Sequence, residues 1–382
     1  MELSRLSDRK RRLVSLAFVA ALGAIALTGF WVARQAQAAI LDSQAGSVSE
    51  FTLDPTAPGF RAFTEPTPAA LILHTAVAAG GAELVGASLL TPADASNGGT
   101  VITVPATFQR DANSPTLADA FRRLGFDAVV DEVRLAIGSD VSEVVVLDGA
   151  SWTTLMRADL PLTMTLGTNL VNPETGTTLL PAGTQAFDLF DVARIASHRN
   201  PEEPSLGVAL RQQTIWQAWI ARTAGTAERP ELFELDSGFS SIIGALASGE
   251  VSYRTIPAGT VPAEDPAATT YEGTTEAILD LFAQLIPFPE EVSPGDRPAV
   301  LLLDSTLGVS SSAEYVQLVT RSGGRVTVLG NTDGTPIPEP LVQLHDDAGL
   351  AVAQSLAAAL GVEVERVPLD DATTSITVVL AG

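Results

Sequence analysis

Two arginines, Arg199 and Arg211, bracket a polar turn in the stretch SHRNPEEPSLGVALRQQ, residues 197–213, and Gln212 and Gln213 follow the second at once. Forked guanidinium donors beside a predicted helix start, whose free N–H groups point outward, have the chemistry to hold a phosphate. The same residues also admit a structural reading. Glu202 and Glu203 are ready partners for the arginines, and an arginine flanking an apolar helix face covers that face with its stem. Gln212 and Gln213 either orient Arg211 or face solvent. His198, next to Arg199, is a candidate general base or a loop histidine. Asp119, Asp148 and Asp188 carry the hard oxygens that magnesium prefers, although lone carboxylates at element ends also serve as helix caps.

Other chemistries are absent from the pattern. The chain of 382 residues has no cysteine, which excludes disulfides and thiolate metal sites, and its three histidines (His74, His198, His345) are too scattered for a zinc motif. There is no glycine-rich phosphate loop and no Gly-x-Ser-x-Gly elbow. Net charge is −23, and residues 1–12 hold five of the 22 basic residues, so the remainder has 17 basic against 43 acidic residues. So acidic a body repels nucleic-acid phosphates, and no nucleic-acid partner is expected.

The basic tail 1–12 precedes LVSLAFVAALGAIALTGFWVA, residues 13–33, which contain no charge. Twenty-one residues rising about 1.5 Å each match one hydrocarbon core, and the basic cluster predicts a cytoplasmic N-terminus with the body outside the cell membrane. The AQA at 36–38 offers the competing reading of a cleaved signal peptide.

The elements that must position the arginines follow a Ser/Thr/Pro-rich stalk, residues 34–68. ALILHTAV and ELVGASLL predict a hairpin, and TVITVPATF predicts a strand broken by Pro105. Residues 116–138 predict a helix interrupted at Gly125. Its second part is capped by Asp127 and buries Val130, Val133 and Ile137. EVVVLD (143–148) reads as a buried strand, and Ser151 as the cap of a short helix. Further helices are expected over 187–196, 208–223, 237–249 and 274–286. A proline-rich linker, 287–297, leads to a βαβ-type unit over 298–382. The fold class expected is α/β, a mixed sheet flanked by helices followed by this smaller unit.

This order of segments resembles the LytR-CpsA-Psr family over residues 69–286, and residues 298–382 resemble the LytR C-terminal domain that often follows it in actinobacteria. TTLLPAGTQAFDLFDVARIASHRNPEEPSLGVALRQQTIWQAWI carries the likeness best: a strand, a turn, a helix, an Arg-bearing loop, and a helix opening with Arg-Gln-Gln. TLADAF and VSEVVVLDGASWTTLM resemble the family's helix and central strand. The resemblance implies transfer of a glycopolymer from a polyprenyl-pyrophosphate carrier to peptidoglycan. It also implies arginines on the pyrophosphate, an acidic residue with magnesium, and an apolar groove for the lipid. It makes Arg199 and Arg211 the candidate catalytic cations, with Gln212, Gln213 and Asp119 as ligand-binding residues.

The sequence departs from the family pattern at several points. Ala106 and Thr107 stand where an arginine and an aspartate are expected; the alternative alignment, on residues 90–94, still lacks the arginine and keeps Asp94. Thr116, Leu117 and Ala118 replace a polar helix start, Ser197 replaces the first loop arginine, and Ser205 to Val208 replace an Asp-Phe-Gly-Arg-like element. Two function classes follow. One is a non-catalytic lipid-carrier binder, scaffold or regulator of the envelope. The other is an active phosphotransferase in which Arg110, Arg122 and Arg123 have moved into the site and converge with Arg199 and Arg211 on one pocket. Apolar residues such as Phe121, Leu124, Val144, Val146, Ile215 and Trp219 suit a lipid groove or a packed core equally.

Overall fold

The computed structural model describes residues 54–78, 80–93, 98–156, 161–224, 237–293, 295–307, 313–368 and 373–381. The chain divides into Met1–Asp54 and Pro55–Gly382, and all of the helices and strands among the described residues belong to the second unit. The expected membrane anchor at 13–33 lies outside the described residues, among which no helix is long and apolar enough to cross a membrane.

The elements run β1 (Arg61–Phe63), β2 (Ala70–Ala78), β3 (Gly81–Pro92), β4 (Gly99–Pro105), β5 (Phe108–Gln109), α1 (Leu117–Leu124), α2 (Phe126–Ile137), β6 (Glu143–Leu147) and α3 (Gly149–Met156). Next come β7 (Leu162–Leu166), β8 (Leu170–Val171), β9 (Thr178–Leu180), β10 (Gly183–Phe187), α4 (Leu189–Ser197), α5 (Ser205–Ala224), α6 (Ser237–Ala247), β11 (Val251–Thr255), β12 (Ala258–Val261), β13 (Thr270–Gly273) and α7 (Thr275–Leu285). The last stretch is β14 (Ala299–Asp304), α8 (Ala313–Arg321), β15 (Arg325–Asn331), β16 (Leu341–Leu344), α9 (Leu350–Leu360), β17 (Val364–Arg366) and β18 (Ile376–Leu380).

A five-stranded mixed sheet, ordered β11-β4-β3-β2-β6, forms the centre. Its inner strand β2 is apolar on both faces because helices cover both. On β2, Ala70 and Ile72 join one core with Trp152, Trp216, Trp219 and Phe239. Leu71 and Leu73 join the other, with Val133, Ile137 and Phe282. The period-two alternation of a strand thus feeds two separate cores. Gly86 on β3 admits Gln212 so closely that a Cβ there would stand 2.4 Å from its Oε1.

Several local expectations change. Gly125 (φ 87°) breaks the 116–138 segment as expected, but the backbone of Gly125 itself precedes α2, and Asp127 lies inside the first turn instead of capping it. Asp148 caps α3 by accepting from Ser151 N at 2.8 Å and from its Oγ at 2.7 Å, so Ser151 is the capped residue and not the cap. Strand β6 is an edge strand, and Val144 and Val146 are 41% and 37% exposed, so it is not a buried strand. Val130, Val133, Ile137, Ile215 and Trp219 are core.

The second sheet has the order β1-β15-β14-β18-β16-β17. Its first strand comes from residues 61–63, within the stretch read from sequence as a stalk; it pairs antiparallel with β15. Asn331 Nδ2 donates to Pro55 O and Ala57 O at 2.8 and 2.9 Å, holding that segment in place. Where the two sheets' helical layers meet, Arg297 is buried and its Nη1 donates to Thr320 O and Gly324 O at 3.1 and 3.0 Å, while its Nε donates to Gly138 O at 2.5 Å.

His74, on β2, is fully buried, stacks on Trp152 with ring centroids 5.4 Å apart, and meets Ser88 Oγ at 2.9 Å through Nε2. Burial pushes its pKa down to about 3. The folded state therefore binds fewer protons than the unfolded state, whose histidine titrates near pH 6.5. The stability this group contributes is complete above pH ~6.5 and is lost as pH falls toward 3, at about 1.4 kcal/mol per pH unit. Urea unfolding between pH 6.5 and 4 should lose stability more steeply in the wild type than in His74→Phe. Parallel slopes would contradict the buried neutral imidazole.

Candidate functional site

The end of β4 is where the central sheet meets the loops that carry the arginines. Pro105 ends the strand, and Ala106 O then accepts from Ala118 N at 2.8 Å at the start of α1. Thr107 ties three segments together. Its hydroxyl donates to Thr269 O at 2.6 Å and so accepts from Ser205 Oγ, 2.6 Å away, at the first turn of α5. Thr116 caps α1 by accepting from Asp119 N at 3.1 Å.

These junctions surround a cavity of about 370 Å³, whose wall includes Glu83, Ala106, Thr107, Asp119, Arg122 and Arg199. Ser205 and Val208 of α5 also reach it, as does Phe121. Two guanidinium groups and two carboxylates thus share one concave surface. Arg122 donates to Asp119 Oδ1 at 2.8 Å across one helical turn. Arg199 is exposed; it donates through Nε to Glu203 O at 3.1 Å and through Nη2 to Ala267 O. It has no ion-pair partner among the described residues, so its charge is directed at the cavity by backbone carbonyls alone.

Arg211 goes elsewhere. Its side chain is 8% exposed and forms an ion pair with Glu203, itself 12% exposed. Nη2 donates to His198 O, and Nε to Ile195 O at 3.4 Å. Gly207 and Arg211 lie one turn apart on the same face of α5, and the Glu203 carboxylate from the preceding turn folds back over that face. A Cβ on Gly207 would stand 2.8 Å from Glu203 Oε1, so the bare glycine leaves room for the carboxylate beside the guanidinium. The other Glu203 oxygen accepts from Asn200 N at 2.9 Å.

The glutamines are structural as well. Gln212 is fully buried and donates to Ala196 O at 2.8 Å. Gln213 accepts from Thr103 Oγ1 at 2.9 Å. Neither reaches the cavity wall. His198 is held through Nε2 by Val171 O at 2.8 Å, and Asp188 caps α4 by accepting from Phe190 N and Asp191 N. Of the five site residues read from sequence, the structure brings Arg199 and Asp119 together and separates Arg211, Gln212 and Gln213 from them.

Of the three arginines considered as substitutes, Arg122 lines the cavity. Arg110 lies near Asp111 and Glu132, at 3.6 and 3.7 Å, and neither it nor Arg123 is on the cavity wall, so the three do not converge with Arg199 and Arg211 on one pocket. Glu83 had no signal in the sequence. Arg122 had one, its i,i+3 spacing from Asp119. No group of three carboxylates or histidines suited to a metal gathers among the described residues. With Asp119 engaged by Arg122, the residues here do not fit a magnesium site.

No protein-family model matches the sequence, and no curated protein matches it. Solved structures show a distant similarity. The chain is similar to B. subtilis TagT at 13% identity, over 63% of this chain and 93% of that one, with a TM-score of 0.44. It is also similar to the LytR-CPS2A-psr family protein YwtF (TagT) with bound octaprenyl pyrophosphate lipid, at 14% identity over 63% and 92%, TM-score 0.44. A LytR-Csp2A-Psr enzyme from Actinomyces oris matches at 16% identity over 60% and 94%, TM-score 0.43.

If Arg211 is a structural pin, Glu203→Ala strands a buried cation and should cost about 3–5 kcal/mol of unfolding free energy. Adding Arg211→Met should recover part of that loss, giving a strong coupling in a double-mutant cycle read by chemical denaturation. Additive single effects would contradict the pairing.

Proposed function

We propose that the chain is a membrane-anchored, extracytoplasmic envelope protein that binds the phosphate head of a polyprenyl-linked glycopolymer in the cavity beside Asp119, Arg122 and Arg199. In this reading it acts as a binder or scaffold in cell-wall assembly and not as a transferase. The anchor and the outward orientation rest on the charged tail and apolar run of residues 1–33. The ligand class rests on the family resemblance, and the octaprenyl pyrophosphate bound to TagT names the chemistry to test first.

The observation that carries the non-catalytic reading is the fate of Arg211. Phosphoryl transfer needs fixed positive charge in excess where the leaving phosphate gathers negative charge. Here one candidate cation is neutralised by Glu203, a second is paired with Asp119, and Arg199 alone faces the cavity without a carboxylate partner among the described residues. Thr107 and Ala106 add no charge. A volume of about 370 Å³ stands at the small end of ligand pockets, which run roughly 300–1,000 Å³. That suits a phosphate head and the start of a chain more than a whole lipid tail.

The placement of Arg122 on the cavity wall favours the second reading, a rearranged phosphotransferase with peptidoglycan as acceptor. One experiment separates the two. The full chain in detergent is titrated with geranylgeranyl pyrophosphate, and phosphate or pyrophosphate release is followed in the same sample. Binding that weakens about tenfold or more in Arg199→Ala, without release, supports the binder. Release abolished by Arg199→Ala or Arg122→Ala would replace it with the transferase, and no binding at all would remove both.

A further inference from the structure

The corner between α1 and α2 reads Phe121-Arg122-Arg123-Leu124-Gly125-Phe126. Its composition is unlike the rest of the surface. After residue 12, Arg122 and Arg123 are the only adjacent basic residues in an otherwise acidic chain. Leu124 is 78% exposed and Phe126 38% exposed. Phe121 and Phe126 meet edge to face, with ring centroids 4.8 Å apart. Gly125 makes the sharp joint, with φ 87°, and a Cβ there would meet nothing within 4 Å, so the corner projects into open space.

We propose that this corner docks on an anionic phospholipid surface, with Leu124 and Phe126 entering the headgroup layer and Arg123 contacting lipid phosphates. Exposed aromatic and aliphatic side chains next to arginine are the composition that settles at a bilayer interface, where the apolar parts enter and the guanidinium stays at the phosphates. Asp119 takes up Arg122 at 2.8 Å, whereas Arg123 has no ion-pair partner among the described residues. Asp127 is the one acid beside the corner in sequence, and it follows Phe126. The bulk of the protein is acidic and is repelled by an anionic surface, so contact at this place depends on local chemistry. A second consequence concerns the cavity. Phe121 belongs both to the corner and to the cavity wall, so docking would bring the cavity mouth to the height of lipid headgroups. The docking itself does not depend on the ligand proposed above.

Because the chain has no cysteine, a single introduced thiol is a specific probe. Full-length Leu124→Cys is labelled with an environment-sensitive nitrobenzoxadiazole dye and placed in vesicles of phosphatidylglycerol and phosphatidylcholine, with no polyprenyl phosphate present. Phe190→Cys is the control; Phe190 is 74% exposed on α4, which packs on the opposite face of the central sheet. The expected result is a blue shift and loss of iodide quenching at 124 but not at 190, reduced by Arg123→Glu and unchanged by Arg199→Ala. Equal spectra at 124 and 190 would overturn the proposal. So would a shift that disappears at one chain per vesicle, which would assign the corner to a second copy instead. Failure of pyrophosphate binding would leave this result untouched, so the two readings fail separately.

Discussion

Beneath the turn that precedes α5, the guanidinium of Arg211 is surrounded by the Glu203 carboxylate and the carbonyls of Ile195 and His198. Both charges are withdrawn from water, so each depends on the other, and removing one leaves the other stranded. The pair therefore fixes the turn. It joins the C-terminal end of α4 to the first two turns of α5, and Glu203 also receives Asn200 N. Glu202 next to it adopts φ 57°, a conformation that costs a non-glycine residue roughly 1–2 kcal/mol. The ion pair is the feature that holds this backbone in place. Once the turn is fixed, so is Arg199, whose Nε is held by Glu203 O at 3.1 Å.

Charge in the cavity follows from that arrangement. A cation at the start of α5 would add to the helix's own positive end and attract phosphate strongly. Here the start of α5 offers Ser205, whose hydroxyl is taken by Thr107, and a glutamate that faces inward toward Arg211. The cavity is left with Arg199, the Asp119–Arg122 pair and Glu83. Its formal charges balance, two guanidinium groups against two carboxylates.

Much of this frame was legible in the residues. Alternating apolar runs around a glycine pair gave the β2–β3 hairpin, and Gly125 marked the break between α1 and α2. Val130, Val133 and Ile137 recur at helical spacing because one face of α2 packs on the sheet. Other features depended on tertiary contacts that no local pattern encodes. β1 has three residues, too few to show a period, and becomes a strand because β15 presents an open edge to it. The exposed valines of β6 look like a buried strand until the sheet order places them at an edge. At the site, the candidate partners Glu202 and Glu203 were both visible, but the choice between them rests on the space left by Gly207. That choice decides whether Arg211 is a ligand or a strut; Gln212 instead anchors the Ala196 carbonyl and Gln213 the Thr103 hydroxyl.

Arg211 belongs to the framework and Arg199 to the cavity. Arginine-selective nitrogen-15 labelling of the full chain in lipid nanodiscs allows each side-chain Nε–H to be followed during a pyrophosphate titration. The Arg199 resonance is expected to move with ligand while that of Arg211 stays slow to exchange with solvent and unshifted. A large ligand-dependent shift at Arg211, with Arg199 unmoved, would contradict it.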